Sequence, residues 1–242
     1  MLRHLILLAA ASSATQTLLA QGAKPGPAAA APDPPPAQVE PARLAPYHQS
    51  LRMIKVEKGE QQQMGTLDDQ VVFADDHGTP VIIRVQNVDG PTGAMTDTAV
   101  ADRTSLAPRW HSSHSELRTL RLDFTPKRVK GVLKESGDPS IPIDQQVADG
   151  VFDSNILDVL IAALPLSVGY TGRLMVYLYE AGGPVAADVA VSGSEAVDGT
   201  DAWVTLVTLG GRTAKYYMDK KRPRVIQILS TPAPGAEIRI VP

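Results

Sequence analysis

Cysteine is absent from these 242 residues. That removes a disulfide framework, a thiolate zinc site, a thiol nucleophile and a lipidated cysteine together. No basic block dominates and the formal net charge is −3, so the electrostatic footprint of a nucleic-acid binder is missing. No glycine cluster stands between a strand and a helix, which excludes Walker-type and dinucleotide-binding loops. The G-x-S-x-G turn of a hydrolase is also absent. No repeat exceeds simple alternation, so solenoids and propellers are excluded. The most apolar internal stretch, residues 153–164, would make a helix of roughly 16–18 Å, well short of a bilayer core of about 30 Å.

What is present reads as a folded chain, 43% hydrophobic and 20% charged. Its length supports one large core, enough for an exported protein to manage without disulfides. Met1, Leu2, Arg3 and His4 give a short basic start, residues 5–11 are apolar, and small residues follow to about position 22. That layout is a secretory signal peptide, assigned to residues 1–21, and the expected location is periplasmic or extracellular. After its removal the chain is not expected to span a membrane. Residues 22–46 form a Pro/Ala tract with little to bury, expected to be a disordered, PPII-rich linker. Residues 47–242 are expected to fold as a single β-rich domain.

Within that domain apolar and polar residues alternate in runs at 51–58, 61–75, 79–88, 95–102, 117–124 and 128–133. Further runs follow at 173–180, 185–191, 202–209, 213–218, 225–230 and 237–241. Turn residues punctuate them, as in Asp75-Asp76-His77-Gly78 and Asp198-Gly199-Thr200. The pattern predicts a mainly β fold, a meandering antiparallel sheet of about ten strands. The helix predicted at 153–164 has almost no polar side chain besides Asp158, so it must be covered on nearly all sides. The sheet is therefore expected to curve around it. Leu174, Met175, Val176, Tyr177, Leu178 and Tyr179 are apolar on both strand faces. The second face calls for edge packing, a partner surface or a ligand cavity.

Residues that carry chemistry are few. His111 and His114 have the spacing of a metal pair only on a helix turn or loop, because on a strand they would point to opposite faces. Without a carboxylate cluster at ligand spacing, a loop bearing two solvated histidines is the preferred reading. Asp68-Asp69 and Asp75-Asp76 do not follow the calcium-loop pattern and read as turn residues. Lys215 to Arg224 combines aromatic and basic residues and reads as a solvated hairpin tip, with acidic headgroups as the competing partner. No catalytic, cofactor-binding or metal-binding residue is assigned.

Three stretches, DSNILDVLIAALPLSVGY from Asp153, VDGTDAWVTLV from Val197 and KYYMDKKRPRVIQI from Lys215, resemble the DUF3108 family of secreted bacterial proteins of unknown function. The resemblance covers residues 152–241 well and the upstream half loosely. It implies a sheet curved as a half-barrel around one helix, similar to periplasmic lipoprotein carriers, which hold acyl chains between sheet and helix. Fold does not carry function by itself. The expectation is a non-enzymatic envelope protein that binds a lipid, an acyl chain or an apolar partner segment between sheet and helix. Leu157, Leu160, Ile161, Tyr177, Tyr179, Trp203 and Leu206 are the candidate lining. The alternative is a scaffold of an envelope assembly, tethered by its Pro/Ala tail and contacting an envelope protein partner. An unrecognised hydrolase is the least favoured reading.

Overall fold

Alternation becomes strand after strand in the computed structural model, which describes residues 33–242. The signal-peptide assignment lies outside the described residues. A first meander runs through β1 (Tyr47–Glu57), β2 (Glu60–Asp76), β3 (Thr79–Gly90), β4 (Gly93–Asp102), β5 (Pro108–Ser115), β6 (Arg118–Thr125), β7 (Arg128–Glu135) and β8 (Ile141–Gln146). The short β9 (Val151–Asp153) then leads through a 3-10 turn, Ser154–Ile156, into α1 (Leu157–Ala162). A second meander completes the chain with β10 (Thr171–Leu178), β11 (Gly183–Val197), β12 (Thr200–Leu209), β13 (Arg212–Asp219), β14 (Val225–Ala233) and β15 (Ala236–Val241).

Both meanders belong to a single 15-stranded sheet, because β15 returns to pair with β1, with Arg52 opposite Val241 and Glu57 opposite Ala236. Every ladder is antiparallel except the one between β9 and β10. β8 and β9 occupy the two ends of the strand order and share no ladder, so the sheet is not closed. Local chemistry sets its corners. His77 and Gly78 take φ of 53° and 85° between β2 and β3, and Asp75 Oδ1 accepts the Gly78 N–H at 2.6 Å. Where the β1–β2 register slips between Met53 and Ile54, a Cβ on Gly65 would lie 2.0 Å from the Asp89 carbonyl oxygen. Only glycine allows that approach.

The sheet has fifteen strands where the pattern predicts about ten. β5, β8 and β9 have no counterpart among the predicted runs. β5 reads PRWHSSHS, with polar residues on both faces, β8 carries a proline and β9 is three residues long. Tertiary pairing, not intrinsic preference, makes them strands. The helix is also shorter than predicted. Asp153 accepts the Asn155 N–H at 3.0 Å, which tightens the entry into a 3-10 turn, and α1 itself has six residues. At its end the Ala163 N–H is shared between the Val159 and Leu160 carbonyls, and Pro165 follows.

No residue of α1 is more than 8% exposed. Its apolar side chains share one core cluster with Val71 of β2, Ile82 of β3, Val176 of β10, Val189 of β11, Val207 of β12 and Met218 of β13. The second half of the Pro/Ala tract, residues 33–46, lies against the sheet. Arg173 N donates to Pro35 O at 2.7 Å, Ala37 N to Arg173 O at 2.8 Å and Glu40 N to Ala163 O at 2.7 Å. Leu44 is buried in the same core. An extended proline-rich strand keeps its carbonyls free to pair with the edge of β10.

Candidate functional site

The one ionisable side chain of α1 meets a guanidinium from the first meander. Arg84 on β3 donates from Nη2 to Asp158 Oδ2 at 2.5 Å and from Nε to Asp69 Oδ1 at 2.9 Å. Its Nη1 donates to the Asn155 carbonyl. The Tyr47 hydroxyl donates to Asp69 Oδ2 at 2.9 Å, and Gln49 bridges from the same carboxylate to the Val225 carbonyl. Arg84, Asp69 and Asp158 are all buried. One guanidinium between two carboxylates leaves a negative charge in a low-dielectric interior, so one carboxylate must hold its proton more tightly. Burial, against the pull of Arg84 and with the push of Asp69, raises Asp158 to about 6. Burial opposes the Arg84 charge as well, but Asp158 and Asp69 overcome it and hold the guanidinium protonated.

A second buried group lies beside it. His111 on β5 places Nδ1 3.4 Å from Asp153 Oδ1 and Nε2 3.8 Å from Asp97 Oδ1. Burial disfavours its charge, yet Asp153 and Asp97 push the imidazole up to about 10, so it is a cation at neutral pH. Tyr179 packs edge-on to the ring with centroids 6.5 Å apart, and Arg118 stands 4.9 Å over Tyr179. Together these contacts tie residues 153–158 to β3 and β5. They are sealed from solvent, and among the described residues no group of three or more His, Cys, Asp or Glu is arranged to hold a metal ion. Their chemistry is that of a clamp.

An accessible site opens at the C-terminal end of α1. Ala162, Leu164, Leu166, Trp203 and Met218 line a shallow pocket together with Arg43, Asp219, Lys220 and Pro223. The space in it open to a water-sized sphere is only about 10 Å³, room for one water. Lys220 Nζ lies 4.3 Å over the Trp203 ring. The Asp219 carboxylate accepts the backbone N–H groups of Lys221 and Arg222 at 2.8 and 3.0 Å. That bond closes the β13–β14 turn and leaves the Lys221 and Arg222 side chains exposed.

The candidate lining residues do not converge on one place. Leu157, Leu160 and Ile161 are packed in the central core. Tyr177 faces the other way from β10, into a separate cluster with Leu120, Leu122 and Val129. Its hydroxyl donates to Gln145 Oε1 at 3.2 Å and its ring meets Phe124 edge-on at 6.0 Å. The second apolar face of β10 is thus covered at Tyr177 by the protein's own β6–β8. Tyr179 belongs to that cluster and to the His111 contact. Trp203 lines the pocket, while Leu206 sits opposite Lys215 on the partly exposed strand face away from Val207.

The histidine reading is corrected. His111 and His114 lie on strand β5, not on a loop, and only His114 is exposed. Strand geometry sends them to opposite faces, and His111 is drawn inward by Asp97 and Asp153. Pattern reading also missed Arg84 as a site residue. Its signal was legible: Ile82, Arg84, Gln86 and Val88 share one strand face, so an arginine stands where an apolar residue is expected.

The model of a family described as a protein of unknown function, DUF3108, matches residues 47–235, and the chain belongs to that family. The match starts at β1 and ends after β14, so it takes in the whole of the first meander and all of the second except β15. No curated protein and no solved structure matches the chain.

Proposed function

We propose that this is an exported envelope protein, periplasmic or extracellular, that acts by binding and not by catalysis. Its sheet is read as a half-barrel whose helix serves as a permanent core. The bound group is apolar, the end of an acyl chain or an apolar side chain of a partner protein, and its seat is the pocket beside Trp203. The observation that carries this reading is that pocket, where Leu164, Leu166, Trp203 and Met218 meet Arg43, Asp219 and Lys220. The space in it open to a water-sized sphere is about 10 Å³, room for one water and far under the roughly 300–1,000 Å³ of sites that enclose whole small ligands. It therefore takes no more than the tip of a chain or side chain unless its rim moves apart. The sealed α1 leaves no slot of its own, which moves the expected seat from the helix–sheet interface to the helix end.

The chain has two tryptophans, so Trp110→Phe leaves Trp203 as the only indole reporter. Titration with an uncharged alkyl glucoside, kept below its micelle concentration, should give a saturable blue shift of Trp203 emission. Leu166→Asp should abolish the shift while far-UV circular dichroism stays unchanged. A Trp203 spectrum that does not respond, or that responds equally in both proteins, would overturn the pocket as the seat.

A further inference from the structure

Residues 33–44 lie on the rest of the chain as a strap, and their contacts are those of a ligand. Pro36 forms one parallel bridge with Arg173, whose N–H donates to the Pro35 carbonyl and whose carbonyl accepts the Ala37 N–H. Pro34, Pro35 and Pro36 have no N–H to offer, so the strap closes this stretch of the β10 edge without extending the sheet. The Arg173 guanidinium, held by Asp188 of β11 at 2.5 and 2.8 Å, also reaches the Asp33 carboxylate at 3.0 Å. Gly172 is buried beside it, and a Cβ there would lie 2.9 Å from the Ala37 Cβ. Only glycine leaves the strap room to approach. Further along, the Glu40 N–H caps the Ala163 carbonyl at the end of α1, and Leu44 enters the core.

These contacts define what the groove accepts: an extended segment with a carboxylate for Arg173 and, four positions later, a small side chain over Gly172. The hydrogen-bonding and charged partners of the strap lie on β10, β11 and the end of α1. None of them lies on β1, which the strap joins through exposed Ala45 and Pro46. A second copy offers the same groove and the same segment, so exchange between copies needs no new complementarity. We propose that the β10 groove is an intermolecular site whose occupant is the strap of a second copy of this chain. An unrelated proline-rich partner would have to reproduce the carboxylate and the small residue at the same spacing. In dilute solution the chain's own strap is favoured, because its short link gives it an effective concentration on the order of millimolar. Exchange takes over where chains are crowded or where a chain's own strap cannot seat.

Two variants of the whole mature chain test this. Ala37→Arg spoils the strap and leaves the groove intact. Gly172→Val spoils the groove and leaves the strap intact, and valine suits a strand. Each alone should be a folded monomer by circular dichroism and light scattering at about 100 µM, below the millimolar range of the tethered strap. Mixed in equal amounts they should form a one-to-one dimer, since the competent strap and the competent groove now lie on different chains. Adding Asp33→Lys to the Gly172→Val chain should weaken that dimer about two- to fivefold, the worth of an exposed ion pair. A synthetic peptide of residues 33–46 should bind the Ala37→Arg chain and not the Gly172→Val chain. Gly172→Ala repeats the comparison if the valine chain does not fold. A mixture that stays monomeric while the peptide binds would overturn the second copy as the occupant. A peptide that binds neither chain, or both equally, would overturn the groove as a site. An Ala37→Arg chain that unfolds would also overturn the proposal, because the strap would then be part of the fold and not an exchangeable ligand.

Discussion

Both meanders put apolar side chains against the same helix, Val71 and Ile82 from the first and Val189 and Val207 from the second, but only the first adds buried ionic contacts to residues 153–158. Across β1–β5 one inward row reads Gln49, Asp69, Gln86, Asp97 and Ser113, each opposite the next in register. Across β11–β13 the matching kind of row reads Val189, Val207 and Ala214. The second meander offers apolar area, which stabilises without regard to direction. The first offers directional contacts at fixed points, Arg84 to Asp158 and His111 to Asp153. Buried ion pairs are a poor source of net stability but an effective way to specify one arrangement. The comparison therefore assigns adhesion to the second meander and registration of residues 153–158 to the first.

The largest expected effect removes the helix that both meanders share. Leu160 is fully buried, and Leu160→Asp places a carboxylate there with no designed partner. The desolvation cost should rival the whole stability of a domain, about 5–15 kcal/mol, so circular dichroism should show an unfolded chain. A folded Leu160→Asp would break the account of both meanders. Arg84→Met separates them. It leaves Asp69 and Asp158 buried together, at a cost of about 3–5 kcal/mol in urea unfolding. Hydrogen exchange should quicken in β2–β4 first, while β11–β13 remain protected. Adding Asp158→Leu to Arg84→Met should return part of the loss, because one of the two orphaned carboxylates is then gone and the other, Asp69, keeps its hydrogen bonds from Tyr47 and Gln49. Uniform loosening across both meanders would contradict the division.

Acid–base behaviour sharpens the same contrast, since the buried ionic contacts to residues 153–158 all come from the first meander. Asp158 is raised to about 6 from 3.8 and His111 to about 10 from 6.5. In each case the folded state binds the proton more tightly than the unfolded chain. The stability each contributes is complete below its unfolded value and is lost as pH rises through its folded value. The urea midpoint should fall from about pH 4 to 6 through Asp158, and again from about pH 6.5 to 10 through His111. His111→Gln should flatten the upper step and leave the lower one. A wild-type midpoint that stays level from pH 7 to 10 would remove His111 from the clamp.

Much of the second meander was legible, and the reason is the same contrast. Apolar alternation and the all-apolar helix are local signals, and they predict β10–β15 and a buried α1. The registering contacts are not local: Asp158 meets an arginine 74 positions away. Nothing around Asp158 in the sequence names that partner, and β5, which carries His111, is too polar to read as a strand. Arg84 alone left a mark, as a cation on an apolar strand face. Trp203 was picked for its apolar bulk, but the pocket it lines depends on Pro223 and Lys220 closing a turn over the helix end.

The seam between β10 and β6–β8 tests whether the division holds where the first meander folds over the second. There the contact is apolar on both sides: Tyr177 stands among Leu120, Leu122 and Val129, with its ring against Phe124. Its only hydrogen bond described is to Gln145, at 3.2 Å. If packing carries the seam, Tyr177→Phe should cost about 1 kcal/mol, the net worth of one hydrogen bond. Tyr177→Ala should then cost roughly 3–5 kcal/mol through the cavity it leaves. Urea unfolding of the two variants at pH 7 measures the ratio. Equal losses would put the energy in the Tyr177–Gln145 bond, and the first meander would then hold by directional contacts everywhere, including where it is lined with leucine.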